Sequence, residues 1–151
     1  MSEMNIATLL RVAQQFSEKA KKKGQHGTNL TQSEWNALQK SYPQPLSQWY
    51  KELMTKGNII GIECVYHKEH QMTIASYTFI QQETFDAYPG VEWAPHGFIC
   101  FGISPFGSDP YFIQLSENPT IMQCYHDDVY PTGAECVTHN LVEFFQQAII
   151  D

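Results

Sequence analysis

An α+β fold is predicted by three features of this 151-residue sequence. Helical spacing fills the first third, period-two alternation begins after Gly57, and helical spacing returns over 134–150. Such segregation of helices from strands favours helices packed against an antiparallel sheet, of about five or six strands at usual sheet sizes. Gly97-Phe98-Ile99-Cys100-Phe101-Gly102-Ile103 is apolar toward both sides and is therefore read as an interior strand.

Residues 5–23 form the first expected helix, with Ile6, Leu9, Leu10, Ala13, Phe16 and Ala20 at helical spacing. Lys19 and Lys21 to Lys23 complement the negative end of its dipole, and Gly24 stops it. The same lysines lack interleaved aromatics, which speaks against a nucleic-acid patch. Residues 1–27 are read as an extra helix and linker on a single domain spanning 1–151. Thr31-Gln32-Ser33-Glu34 is a capping box, with Leu30 and Trp35 placed as its hydrophobic staple. The helix it opens runs to about Ser41, Pro43 and Pro45 break it, and another helix follows over 46–55, closed by Gly57.

Ile60, Ile62, Cys64 and Tyr66 then alternate with Gly61, Glu63 and His67 as a half-exposed strand. His67 to Gln71 reads as a polar turn, 72–80 as the partner strand, and 81–88 as a loop or single helical turn. After the central strand, Ser104 to Pro110 forms a long polar tip, and Tyr111, Ile113 and Leu115 return with one wetter face. A strand over 121–126 ends in Asp127-Asp128. Thr132-Gly133-Ala134-Glu135 reads as a second capping box opening the closing helix, with Val137, Leu141, Phe144, Phe145 and Ala148 on its buried face.

Charge is divided along the chain. Residues 1–58 carry eight basic and four acidic side chains, net +4. Residues 59–151 carry Lys68 alone against twelve acidic side chains, net −11. That half repels nucleic acid and attracts cationic partners. Glu83, Asp86, Glu92, Asp109, Asp127 and Asp128 fall in expected loops or strand ends and are the candidate partner-binding residues. No stretch resembles a signal peptide, and the apolar runs are too short for a membrane span, so a cytoplasmic location is expected.

Chemistry-bearing residues form no familiar constellation. Cys64, Cys100, Cys124 and Cys136 make no CxxC pair and are expected to be reduced and structural. His67, His70 and His126 with Asp127 and Asp128 lack the spacing of a tetrahedral metal site and read as solvated turn residues. Cys136 and His139 lie three apart on the expected last helix. Ser104, Ser108 and Ser116 show no nucleophile elbow, and no Gly-rich phosphate loop opens a helix. No metal, cofactor or catalytic residue is therefore expected, and binding is favoured over catalysis.

Three stretches resemble the SUKH superfamily. Pro45-Leu46-Ser47-Gln48-Trp49-Tyr50-Lys51-Glu52-Leu53, then Gly57, is similar to its Pro-x-x-Tyr-x-x-Phe/Leu helix. Gly97 to Gly102 with Asp109-Pro110-Tyr111-Phe112-Ile113 resembles its signature hairpin. Residues 121–127 and Leu141-Val142-Glu143-Phe144-Phe145 resemble its late strand and closing helix. The resemblance covers about 31–150 and departs at Pro45-Leu46, where Leu-Pro is usual, and at Lys56-Gly57-Asn58, where Asn-Gly-Gly is frequent. It implies N-terminal helices, a twisted antiparallel sheet and a closing helix. It also implies a non-enzymatic immunity protein that neutralises a cognate polymorphic toxin, commonly a cationic nuclease. A signalling adaptor of the same fold is the alternative, with a small Cys/His hydrolase behind it.

Overall fold

A computed structural model describes residues 5–105, 109–125 and 133–150. Helix α1 is Ile6–Lys22, opened by the Asn5 side chain, which accepts from the Thr8 amide at 3.0 Å. Its end is a Schellman closure: the Gly24 amide donates to Lys21 O (3.0 Å) and the Gln25 amide to Ala20 O (2.9 Å). That geometry puts Gly24 at φ +86°, where a side chain would be strained.

Helix α2 is Gln32–Ser41, and both halves of the expected capping box form. The Glu34 amide donates to Thr31 Oγ1 (3.1 Å), and the Thr31 amide donates to Glu34 Oε1 (2.9 Å). Leu30 and Trp35 are both buried beside it. Thr31→Ala removes one acceptor from the orphan amides and is expected to cost about 1 kcal/mol. Urea denaturation checks this, and Ser33→Ala, one turn position away, should be near neutral.

Helix α3 is Gln48–Lys56 and starts two residues later than expected, with extended Ser47 as its cap. The Leu46 amide is taken by Gln39 Oε1 (3.2 Å) instead of entering the helix. Gly57 closes the helix in an ordinary right-handed conformation, so its lack of a Cβ matters for space. A Cβ there would lie 2.5 Å from Leu53 O.

The sheet is six-stranded and antiparallel, with neighbours in chain order. Its strands are β1 Glu63–Tyr66, β2 His70–Ile74, β3 Phe98–Ile103, β4 Pro110–Gln114, β5 Ile121–Gln123 and β6 Glu135–Thr138. Strand β3 is interior, as its two-sided apolarity predicts, and every residue but Ile103 is buried. A bulge at Phe101 shifts the β3–β4 register: Cys100 faces Phe112 while Gly102 faces Tyr111. Gly102 lets β2 approach, because a Cβ would meet Met72 Sδ at 2.9 Å and Thr73 O at 3.2 Å.

Between β2 and β3 runs a helical insertion: α4 (Tyr77–Gln81), a wide turn over Gln82–Asp86, α5 (Gly90–Trp93) and a tight turn over Ala94–His96. Strand β2 pairs with β3 only at Ile103 and Gly102, leaving the edge of β3 from Phe98 to Cys100 without a strand partner. The insertion covers it. Thr84 Oγ1 accepts the Cys100 amide (3.0 Å), and Trp93 packs edge-on against Phe98 at 4.8 Å.

Helix α6, Leu141–Gln147, closes the chain against the sheet. Phe144 meets Tyr66 (5.2 Å between ring centroids) and Phe101 (5.9 Å), while Phe145 meets Phe16 of α1 (5.3 Å). The first helix thereby shares the core of the sheet. On the other flank, Tyr42 donates its hydroxyl to Phe98 O (2.8 Å) and Trp49 donates its indole N–H to Ser116 O (3.0 Å).

Several boundaries differ from expectation. The strand expected over 72–80 ends at Ile74; beyond Ala75 the buried positions, Ile80 and Thr84, recur four apart as on a helix. The helix expected over 134–150 is a strand followed by a shorter helix. Glu135, Cys136 and Thr138 pair with β5, β-branched Val137 falls at the register shift between them, and the cap is Asn140, which accepts from the Glu143 amide at 3.0 Å. Glu135 therefore opens β6, and Thr132 lies outside the described residues. Strand β5 ends at Gln123, and β4 is buried on both faces from Pro110 to Ile113 where one wetter face was expected.

Candidate functional site

The antiparallel register lays one row of side chains across one face of the sheet. Ile74 pairs with Gly102, Gly102 with Tyr111, Tyr111 with Gln123, and Gln123 with Glu135, while His70, four residues before Ile74 on β2, pairs with Tyr66 of β1. In a flat sheet β2 and β6 would stand roughly 19 Å apart, four steps of about 4.8 Å. Yet His70 Nε2 lies 3.5 Å from Glu135 Oε1. The sheet is curled into a half-barrel, and the curl brings its second and last strands together at one end.

At that end stand Glu69, His70, Tyr111, Tyr125 and Glu135. The His70 ring is buried and meets Tyr111 edge-on at 6.1 Å. Its Nδ1 has no hydrogen-bond partner among the described residues. The Tyr125 hydroxyl donates toward Glu135 Oε2 (3.3 Å) and Gln123 Oε1 (3.4 Å). Potential ligand atoms of Glu69, His70 and Glu135 all lie within 4.8 Å of one another, the two carboxylates exposed and the imidazole beneath them. Burial raises the Tyr111 hydroxyl well above the ordinary phenol, and Tyr125, Cys64, Glu135 and Asp109 push it the same way.

The expected binding residues divide between two places. Glu83 and Asp86 lie on the wide turn and Glu92 on α5, so all three belong to the insertion along the β3 edge. Only Asp86 of these is fully exposed. Asp109 immediately precedes β4 and is an electrostatic neighbour of Tyr111. Asp127 and Asp128 lie outside the described residues. Of Glu69, His70, Tyr111, Tyr125 and Glu135, sequence alone raises only His70 as a ligand, and with other partners. His70 is not a solvated turn residue: the turn closes at Glu69, with His67 and Lys68 left-handed (φ +51° and +62°), and His70 is already in β2. His67 goes elsewhere, stacking on Tyr66 at 3.9 Å and pairing with Gln147 of α6 at 2.9 Å.

All four cysteines are free thiols. Cys64, Cys100 and Cys124 are buried; Cys136 is exposed at the β6 edge, 3.4 Å from His139 Nε2, and His139 Nδ1 lies 3.1 Å from Thr120 Oγ1. Desolvation raises the Cys136 thiol above its ordinary value, the opposite of what an activated nucleophile needs. A mostly apolar groove of about 300 Å³ runs between Ile74, Phe79, Ile103 and Pro105. Among the described residues, no helix is long and apolar enough to cross a membrane. The chain matches no protein-family model and no curated protein.

Proposed function

We propose that the chain is an immunity protein of the SUKH superfamily, which binds a cognate cationic toxin, a nuclease, and neutralises it without catalysis of its own. The observation that carries the reading is the segregation of charge. Residues 59–151 hold net −11, and at the curled end of the sheet Glu69 stands near Glu135, Glu135 meets the Tyr125 hydroxyl, and Asp109 and Glu135 act on Tyr111. Carboxylates beside the exposed Tyr125 ring suit lysine and arginine side chains, through ion pairing at the rim and cation–π contact with that ring, while Tyr111 is buried beneath. A nuclease must present such cations to hold phosphates. The helices–sheet–helix order and the β3–β4 hairpin further support the resemblance. The raised Cys136 thiol counts against the hydrolase alternative.

Capture from the source cell with the tagged full chain tests this. Recovery of a basic nuclease supports it; recovery of signalling proteins alone favours the adaptor. With the captured toxin, replacing Asp109, Asp127 and Asp128 together by Asn should slow association about tenfold at low salt, the lower end of electrostatic steering. The difference should vanish at about 0.5 M salt, where screening acts over a few Å. Stopped-flow association rates decide. A rate unmoved by the triple substitution and by salt would remove the electrostatic mechanism.

A further inference from the structure

We infer that Glu69, His70 and Glu135 form a binding site for a divalent transition ion of the zinc type. Two independent observations point there. One is the convergence of two carboxylates and an imidazole from β2, its preceding turn and β6, with all three ligand atoms within 4.8 Å of one another. The other is the state of the imidazole: His70 is 6 % exposed, its Nδ1 has no partner among the described residues, and its Nε2 is 3.5 Å from Glu135 Oε1.

That last distance discriminates between chemistries. A charged hydrogen bond from imidazolium to carboxylate closes to about 2.7–2.9 Å. Two ligand atoms about 2.1 Å from one zinc ion, at a tetrahedral angle, stand about 3.4 Å apart. The 3.5 Å separation is close to the second, and the third ligand atom, within 4.8 Å of the others, draws in on binding. In the tautomer protonated at Nδ1, the Nε2 lone pair is directed at the Glu135 carboxylate, and both are electron-pair donors. A cation between them satisfies both, and the two carboxylates neutralise its charge.

The donor set selects the ion. One nitrogen and two carboxylate oxygens suit zinc, cobalt or manganese, whereas calcium and magnesium prefer oxygen alone. Glu69 and Glu135 are exposed, so the fourth position is open to water or to an incoming side chain. Because the ligands come from β2, the turn before it and β6, the ion ties the second and last strands of the curled sheet together and binds the folded chain only. The inference does not rest on the toxin-binding reading.

The test uses the full chain, dialysed against chelator, then titrated calorimetrically with zinc chloride. One ion per chain is expected, and zinc at about 100 times its Kd should raise the thermal midpoint by about 5–10 °C. Calcium should do neither. Glu135→Gln, an isosteric change at an exposed position, should weaken binding at least tenfold and remove the thermal shift while leaving the circular dichroism unchanged. Glu69→Gln and His70→Gln should act likewise. Cys136→Ser is the control, since Cys136 and His139 are another close pair of zinc-type ligands; it should leave the stoichiometry at one. Binding that survives Glu135→Gln and His70→Gln, or that disappears with Cys136→Ser, overturns the site. So does an absence of zinc binding with a His70 titration that Glu135→Gln shifts, which would make the pair a simple ion pair.

Discussion

Phe101→Ala is expected to lower the free energy of unfolding by about 3–5 kcal/mol, the cost of deleting a buried aromatic ring from a packed core. Phe101 has no exposed surface and occupies the bulge of β3, where the extra residue turns its ring to Phe144 and Phe145 at 5.9 and 6.4 Å. Those two rings in turn hold Tyr66 and Phe16, so the vacated space lies where sheet, α6 and α1 all meet. Neighbours already fixed by other contacts cannot collapse into it, which places the cost toward the upper end. A domain of ordinary stability holds only about 5–15 kcal/mol, so the variant should be marginal at room temperature. Urea denaturation checks this, with Phe79→Ala as the exposed aromatic control, near neutral because its ring is 47 % exposed. A loss below about 1 kcal/mol for Phe101→Ala would mean that α6 does not rest on the bulge.

The same residue shows what local sequence can and cannot disclose. That 97–103 is an interior strand follows from apolar side chains on both sides, a property of the segment alone. That Phe101 sits on a bulge depends on which residues of β4 face it, and nothing within 97–103 records that. The Thr31 capping box was legible because both partners lie within four residues. Asn140 was missed for a related reason: Thr132 and Glu135 offer the same local pattern eight residues earlier, and only pairing of Cys136 with Met122 of β5 makes that stretch a strand. The buried residues of the closing helix, Leu141, Phe144 and Phe145, were nonetheless the right ones.

The ion-binding cluster was invisible for a deeper reason. His70 and Glu135 belong to strands separated by three others in the pairing order, and only the curl of the whole sheet brings them within 3.5 Å. No spacing rule reaches across such a distance, because curl accumulates from every strand between. Charge segregation was legible, since it needs only counting. Its division into an insertion group, Glu83, Asp86 and Glu92, and a group near the curled end that includes Asp109 needed the fold.

Alkaline conditions should destabilise the chain strongly, through its buried thiols. Burial pushes the Cys64 thiol from 9.0 up to about 12, and it raises Cys100 further, with Glu83 adding to the shift. The unfolded chain therefore loses these protons near pH 9, while the folded chain keeps them. A raised folded-state value stabilises fully below the unfolded value and is lost as pH rises, so stability is flat up to about pH 8 and falls between 9 and 12. Each thiol ionised only in the unfolded state contributes a slope of about 1.4 kcal/mol per pH unit, so two give nearly 3. At pH 11 the loss is on the order of 5 kcal/mol, and the buried hydroxyls of Tyr42, Tyr50 and Tyr111, all raised by burial, steepen it above pH 10. Urea midpoints at pH 8, 9, 10 and 11 measure the curve. Cys64→Ala should cost some stability at every pH but reduce the slope between 9 and 11 by about 1.4 kcal/mol per unit, and Cys100→Ala should do the same. A slope unchanged in both variants would show that the thiols are not the groups whose protons the folded chain retains.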